Sequence, residues 1–213
     1  MAAIMTTKQC EGVSWGYVAE LIQSGKGIEV GTIITDTLKD GREFSVVAVH
    51  NNPYHKNEVA FRFVKAPFRC QMYDGNTNEG GWKGSNAREE LKKLFELLPD
   101  DLQAVIKKKK TVQILDGKRV RCKDKLWLPT EYEMFGECYY SEQTEADTVQ
   151  FDYFKDRKNR MTAVEGEDDY ALNWLASPYA SNTTYFCHVS GGGDAYSYYA
   201  SNSYGVAPGF LIR

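Results

Sequence analysis

The groups in this chain that could do chemistry are three histidines, five cysteines, one acidic run and one lysine run, and their spacing assigns them little of it. His188 stands among tyrosines and could serve as a base or a metal ligand. His50 and His55 lie far upstream, however, so no second imidazole is close in sequence. Cys10, Cys70, Cys122, Cys138 and Cys187 are scattered, odd in number and free of CxxC spacing. That pattern indicates neither a zinc knuckle nor a disulfide framework, and reduced thiols in a protein made in the cytoplasm are the simpler expectation. Glu165-Gly166-Glu167-Asp168-Asp169 could capture a cation, but a hard cation needs several converging oxygens, and a solvated loop is the expected reading. Asp194 follows three glycines and reads as a turn residue rather than a calcium ligand. Lys107–Lys110, the only basic cluster, is expected to close a helix at the end where the dipole favours cations. Gly-x-Ser-x-Gly, His-Glu-x-x-His and a phosphate loop are all absent. The expectation is therefore no enzyme, no metal and no cofactor.

What remains is a compositional feature. From Asp169 to Ile212 there is no Lys, Arg or Glu, yet the stretch holds seven of the fourteen tyrosines. Its densest part, Ser177 to Tyr204, has six Tyr, six Ser, three Gly, three Ala, two Asn and two Thr in 28 residues. Surfaces usually stay soluble through interspersed charge. Tyr with Ser, Gly and Asn is instead the composition of antibody binding loops, where rigid amphipathic rings make contact and small polar groups adapt around them. Low-complexity disorder and an ordinary edge hairpin are the competing readings.

The elements that must position these residues follow from periodicity and turn chemistry. At 213 residues and 42% hydrophobic content, the chain suits one decorated domain or two small ones. A net charge of −3 gives no hint of nucleic-acid binding. Met1–Trp15 lacks the pattern of a secretory signal, and no apolar run reaches membrane-spanning length. Trp15–Gln23 is amphipathic and ends at a Gly-rich break, so residues 1–30 are expected to form a helical extension and 31–213 the main domain. Gly31–Val49 reads as a hairpin turning at Lys39-Asp40-Gly41. Glu58–Val64 alternates Val59, Phe61 and Phe63 with Glu58, Ala60 and Arg62, which predicts one buried face. Asn86 with Glu89 predicts a capping box ahead of Leu91, Leu94, Phe95 and Leu98. Pro99-Asp100-Asp101 predicts a second helix, with Pro in its first turn, through Leu102, Val105 and Ile106. Thr111–Cys122 reads as a hairpin turning at Asp116-Gly117, Leu126–Leu128 as a short buried strand, and Thr130 with Glu133 as the cap of a brief helix. Glu137–Gln150 reads as a loop. Strands are predicted at Leu172–Ala176, Tyr185–Ser190, Ala195–Tyr199 and Gly205–Ile212. The class is α+β, with short antiparallel strands, two main helices and long loops.

In order along the chain stand Gly81-Trp82-Lys83-Gly84-Ser85-Asn86-Ala87-Arg88, Leu97-Leu98-Pro99, and Lys125-Leu126-Trp127-Leu128-Pro129-Thr130-Glu131-Tyr132-Glu133. Trp174-Leu175-Ala176-Ser177-Pro178 and Gly205-Val206-Ala207-Pro208-Gly209-Phe210 follow. Together these motifs resemble a C-type-lectin-like domain family of gut bacteria and their phages, over about Thr32 to Arg213. Ala176 and Ala207 stand where that family usually has arginines, so a charge pair made by those arginines is absent or rebuilt. The resemblance implies a C-type-lectin-like fold, also used by the variable proteins of diversity-generating retroelements. In those systems an error-prone reverse transcriptase randomises template adenines, and the copy replaces the 3′ end of the target gene. AAC or AAT codons then yield Asn, Ser, Tyr, Asp, Gly, Ala, Thr and His, but never Lys, Glu or Gln. The composition of Ser177–Tyr204 matches such an output.

Strand alternation puts Cys187 and Val189 on one face, expected inward, and Phe186, His188 and Ser190 on the other, with His188 exposed. Tyr196, Tyr198 and Tyr199 oppose them. Tyr199 could equally be core, and Tyr204 could equally be a structural lid. The expected ligand-contact set is Tyr179, Ser181, Asn182, Thr183, Thr184, Phe186, His188, Ser190, Asp194, Tyr196, Tyr198, Tyr199, Ser201 and Asn202. The Glu-Pro-Asn and Trp-Asn-Asp motifs of calcium-dependent lectins are absent, which leaves metal-free contact through tyrosine faces. The expected partner is a protein or glycan on a target cell, with no nucleic acid and no membrane insertion; an oligomer is allowed, and a virus particle is one place of display. Two alternatives carry different expectations. One is a fixed assembly domain of a virion or bacterial surface. The other is a relative of the formylglycine-generating oxidases, which use paired cysteines where this chain has only Cys187 in its last third.

Overall fold

The computed structural model describes residues 10–11, 14–51, 54–55 and 57–213. After β1 (Cys10–Glu11) comes α1 (Trp15–Gln23), whose Trp15, Val18, Leu21 and Ile22 recur at helical spacing and are buried. β2 (Ile33–Thr37), β3 (Glu43–Asn51) and β4 (Val59–Phe63) form an antiparallel meander, followed by β5 (Phe68–Cys70). The helices α2 (Asn86–Leu97) and α3 (Asp100–Val105) come next. The chain continues through β6 (Ile106–Lys107), β7 (Lys109–Leu115) and β8 (Lys118–Asp124). Asp116 and Gly117 join β7 to β8 at φ +49° and +69°, the pair of left-handed residues a two-residue hairpin turn requires. α4 (Glu131–Phe135) starts in a capping box of Thr130 and Glu133. The last elements are β9 (Thr162–Ala163), β10 (Tyr170–Ala171), β11 (Asn173–Pro178), β12 (Tyr185–Val189), β13 (Ala195–Tyr199), β14 (Tyr204–Val206) and β15 (Gly209–Ile212).

The architecture is mixed α and β and mostly sheet. One sheet runs β1-β2-β3-β4-β15-β6 and another runs β13-β12-β11-β14-β5; the β7–β8 and β9–β10 ribbons stand apart. Pairing is antiparallel except at β1–β2 and β11–β14. The largest core cluster joins both main sheets and the helices. Trp15 meets Phe61 at 6.1 Å and Phe210 at 5.9 Å edge-on, while Phe61 and Phe210 stack at 5.4 Å. The N-terminal segment, expected as an extension, thus supplies a tryptophan to the same core. Gly209 is needed because a Cβ there would lie 2.6 Å from the Trp127 ring and 2.8 Å from the Phe61 carbonyl oxygen.

Several expectations are corrected. β4 is buried along its whole length, since it lies between β3 and β15 with packing on both faces; Ala60 and Arg62 are as enclosed as Phe61. The α2 cap is Ser85, one residue before the expected Asn86, and its hydroxyl accepts from the Arg88 amide at 3.2 Å. Pro99 is likewise the cap of α3 rather than a first-turn residue. The helix ends at Val105, so Lys107, Lys109 and Lys110 are strand residues and Lys108 lies between β6 and β7. Lys109 is buried there, bonding Glu133 Oε2 at 2.6 Å with its ammonium 4.2 Å above the Trp127 ring. Burial pushes the Lys109 ammonium down and the Glu133 carboxyl up, while that contact and the Thr130 amide stabilise the charged pair. Trp127 makes only an isolated bridge to Gly209. The expected final strand is divided between two sheets, with Ala207-Pro208 as the crossing point. Ala176 and Ala207 are buried in apolar packing, and the enclosed guanidinium of this chain belongs to Arg62, which donates to Thr162 Oγ1 at 2.7 Å.

Candidate functional site

The tyrosine-rich stretch folds as the β12–β13 hairpin and the loops at either end of it. β12 lies between β11 and β13, so Phe186, Cys187, His188 and Val189 are all enclosed. β13 is the outer strand of its sheet and presents Tyr196, Tyr198 and Tyr199 at 55%, 40% and 38% exposure, with Ser197 buried between them. The rings support one another. Tyr185 stacks on Tyr198 at 6.0 Å and meets Tyr199 edge-on at 4.6 Å. Tyr179 lies 6.3 Å from Tyr185, and Tyr140, from the loop after α4, lies 5.4 Å from Tyr179 and 6.4 Å from Tyr196. Edge-to-face and offset pairs contribute about 0.5–1.5 kcal/mol each beyond area burial, so the surface is ordered without any charged group in it. Bonding with the Tyr199 hydroxyl raises the Tyr185 phenol above its ordinary range.

Residues distant in sequence hold this surface in place. Asn78, buried, donates its side-chain amide to the carbonyls of Tyr179, Asn182 and Tyr185 at 3.1, 2.9 and 2.9 Å. Its backbone amide donates to Thr183 O at 2.6 Å. The Glu131 carboxylate accepts from the Ser141 amide at 2.7 Å, the Ser141 hydroxyl at 2.6 Å and the Tyr140 amide at 3.2 Å, and thereby seats Tyr140. Beneath the hairpin, Trp174 packs on Tyr204 at 4.5 Å and donates its indole N–H to Cys70 O at 2.9 Å. Backbone groups and core aromatics thus hold the scaffold, while the outward rings pack on one another and, at Tyr196 and Tyr198, against His188 and Tyr204.

The expected contact residues separate into two groups. Ser181, Thr183, Asp194, Tyr196, Tyr198 and Tyr199 are exposed, and Tyr179, Asn182, Thr184, Ser190, Ser201 and Asn202 are half-buried. Asn182 and Thr184 close their own turn, with Thr184 Oγ1 donating to Asn182 Oδ1 at 2.6 Å. Asp194 pairs with Arg157 at 2.8 Å, and Asn202 donates to the Tyr204 hydroxyl at 3.0 Å. Phe186 and His188 are corrections. Phe186 is fully enclosed against Tyr73 and Trp174. His188 is 1% exposed, because the sheet's two faces are both covered and alternation does not bring either side of β12 to solvent. Its ring lies 5.9 Å from Trp174, 5.7 Å from Tyr196 and 5.1 Å from Tyr204, with no hydrogen-bond partner on either nitrogen among the described residues. Burial lowers its pKa to about 4, so it is neutral at pH 7. Tyr199, weighed as core, is exposed because it lies on the outer strand.

Sequence reasoning missed Tyr140, Tyr185, Glu131 and Asn78. The adjacent tyrosines at 139–140 signalled Tyr140, but Asn78 in a polar loop carries no local signature. Cys187 is buried 3.7 Å from Glu131, and burial with that carboxylate holds its thiol well above the ordinary range, which suppresses thiolate chemistry. The described cysteines Cys70, Cys122, Cys138 and Cys187 are unpaired. Among the described residues no group of three or more His, Cys, Asp or Glu side chains is placed to hold a metal, and no helix is long and apolar enough to cross a membrane.

Residues 53–213 match the domain of unknown function DUF6273. The chain belongs to the DUF6273 family. No curated protein and no solved structure matches it. The DUF6273 match takes in β4 through β15, and with them the whole tyrosine edge and both loops that Asn78 and Glu131 tie to it.

Proposed function

We propose that this chain is a ligand-binding protein whose tyrosine edge contacts a protein or glycan on a target cell. We infer further that the edge is the varied part of a C-type-lectin-like domain diversified by a retroelement. The observation that carries the reading is the exposure of Tyr196, Tyr198 and Tyr199 on an outer strand whose neighbour is enclosed from Phe186 to Val189. Aromatic anchors that become buried among small polar groups dominate binding energy at interfaces, and exposed Ser181, Thr183 and Ser203 lie in the loops that flank the β12–β13 hairpin. The diversification reading draws on composition together with burial. Phe186–Val189, Ser197 and Ala200 are enclosed and must stay compatible with the core, whereas the outward positions can change without opening a cavity. Binding to a panel of immobilised glycans and bacterial surfaces tests the reading. Wild type should saturate on at least one member and the Tyr196→Ser/Tyr198→Ser/Tyr199→Ser variant should not; equal binding by both would sink it.

A second reading rests on the same strand. β13 is a sheet edge without a charged residue, and such edges pair with other chains unless blunted. Under a fixed assembly role, light scattering would show a wild-type oligomer that Tyr196→Ser/Tyr198→Ser dissociates. Under the ligand-binding role the oligomeric state is the same in both.

A further inference from the structure

Away from the tyrosine edge, a cleft of about 480 Å3 opens where the ends of β6, β7, β8 and β15 meet the loop at 145–148. Six cationic side chains line it, those of Lys107, Lys108, Lys109, Lys110, Lys123 and Arg213, against the carboxylates of Glu58 and Glu145. Strand register forces the crowding. Lys110 and Lys123 are directly opposed partners in the β7–β8 ladder, and Lys107 lies opposite Leu211, two residues before Arg213. Like charges directly opposed across a ladder are destabilising. Glu145 gives little relief, because Arg119 at 3.0 Å and Arg121 at 3.9 Å engage it from outside the cleft. Lys109 is committed to Glu133. Among the described residues, the ammonium groups of Lys107, Lys108, Lys110 and Lys123 have no ion-pair, hydrogen-bond or ring partner.

The adjoining cleft over α2 shares Lys108 and Lys123 but is otherwise neutralised. There Arg88 holds Asp124 at 2.7 Å, Lys92 holds Glu89 at 2.6 Å, and the Lys125 ammonium lies 4.4 Å above Phe95. Uncompensated positive charge is therefore gathered in one concavity rather than spread as a tract along the surface. A volume of this order suits a small molecule. Flexible ammonium groups acting as point charges suit phosphate oxygens better than the bidentate geometry a single carboxylate offers.

We propose that this cleft binds a small soluble anion carrying two or more phosphate groups. It is a site independent of the tyrosine edge. Isothermal titration of the full chain with inorganic pyrophosphate, at about 50 mM salt so that screening is modest, provides the test. Saturable binding at one site is expected, weakened about tenfold or more by Lys110→Gln/Lys123→Gln and unchanged by Lys92→Gln in the adjoining cleft. Because the substituted lysines are exposed, the double variant should melt cooperatively, and pyrophosphate should raise the melting temperature of wild type but not of the variant. Absence of saturable binding by wild type, undiminished binding by the double variant, or an equal loss in Lys92→Gln would each overturn the proposal. So would loss of binding to phosphatidylserine vesicles in the double variant with no pyrophosphate binding by wild type, which would make the cleft a membrane-facing surface instead.

Discussion

The tyrosine edge and the lysine cleft are two surfaces built on opposite principles. At the edge, Tyr196, Tyr198 and Tyr199 stand without charge on a strand whose inner neighbours Phe186–Val189 are enclosed, and the groups that order it come from far away in sequence. In the cleft, Lys107, Lys108 and Lys110 are nearly consecutive, and one opposed strand adds Lys123. The edge is satisfied before any ligand arrives, since its rings pack on one another and its backbone bonds to Asn78. The cleft is not satisfied, since Lys107, Lys108, Lys110 and Lys123 have no ion-pair partner among the described residues. The first arrangement tolerates a change of side chain at modest cost, because the outward rings pack chiefly on one another. The second selects one chemistry, because only an anion relieves it.

The contrast is sharpest in variants that separate recognition from folding. Tyr196→Ser/Tyr198→Ser/Tyr199→Ser should weaken ligand binding on the surface panel by about 4 kcal/mol or more, the sum expected of two interface anchors. Its unfolding free energy in urea should fall by about 2–4 kcal/mol, from the ring pairs lost with Tyr140, Tyr185 and His188, while the transition stays cooperative. Lys110→Gln/Lys123→Gln should leave panel binding intact, and a loss there would merge the two surfaces into one.

Beneath the edge, His188 should make the scaffold acid-sensitive. Its folded pKa of about 4 lies below the ordinary 6.5, so the unfolded chain takes up the proton first as pH falls. The stability attached to neutral His188 is therefore complete above pH 6.5 and is lost between 6.5 and 4, by about 3 kcal/mol. Urea melts of wild type and His188→Leu across this window isolate the effect from the carboxylates that titrate alongside it. The gap between the two proteins should widen as pH falls, and a constant gap would mean that the ring is solvated.

Asn78→Ala removes three side-chain hydrogen bonds to the 179–185 loop and leaves part-buried carbonyls without that partner. A cost of about 2 kcal/mol is expected, with faster amide exchange in 179–185 than in β15. Uniform exchange across both segments would show that the edge is held by its own rings rather than by the scaffold. The smallest effect belongs to the cleft: Lys123→Gln should raise stability by about 0.3 kcal/mol at low salt through relief of Lys110, and by nothing at 1 M salt.

Much of the local structure was legible because its causes are local. Asp116-Gly117 specifies its turn, Thr130 and Glu133 specify their cap, and the glycines at 191–193 divide β12 from β13. The misreadings share one cause, which is that burial is decided by sheet order. Alternation along β4 and β12 predicted one wet face each, yet both strands lie inside their sheets and are enclosed on both sides, which moved Arg62 and His188 into the core. Lys107–Lys110 read as a solvated helix end because nothing nearby announces that Glu133, twenty-four residues later, reaches Lys109. The exposed half of the candidate surface was visible as composition. Its supports, Asn78 and Glu131, were not, because each is a single polar residue whose partners are set by tertiary contact.

Under the proposed function an exposed, replaceable tyrosine edge sits on a fixed scaffold. Sequencing this coding region from many independent natural isolates tests it most directly. Substitutions should concentrate at 181, 183, 194, 196, 198 and 199, drawn from Asn, Ser, Tyr, Asp, Gly, Ala, Thr and His, with a near-identical template repeat nearby. Positions 173–178, 186–189 and 205–210 should stay constant. Variation spread evenly along the chain, or an edge as constant as the core, would contradict the claim.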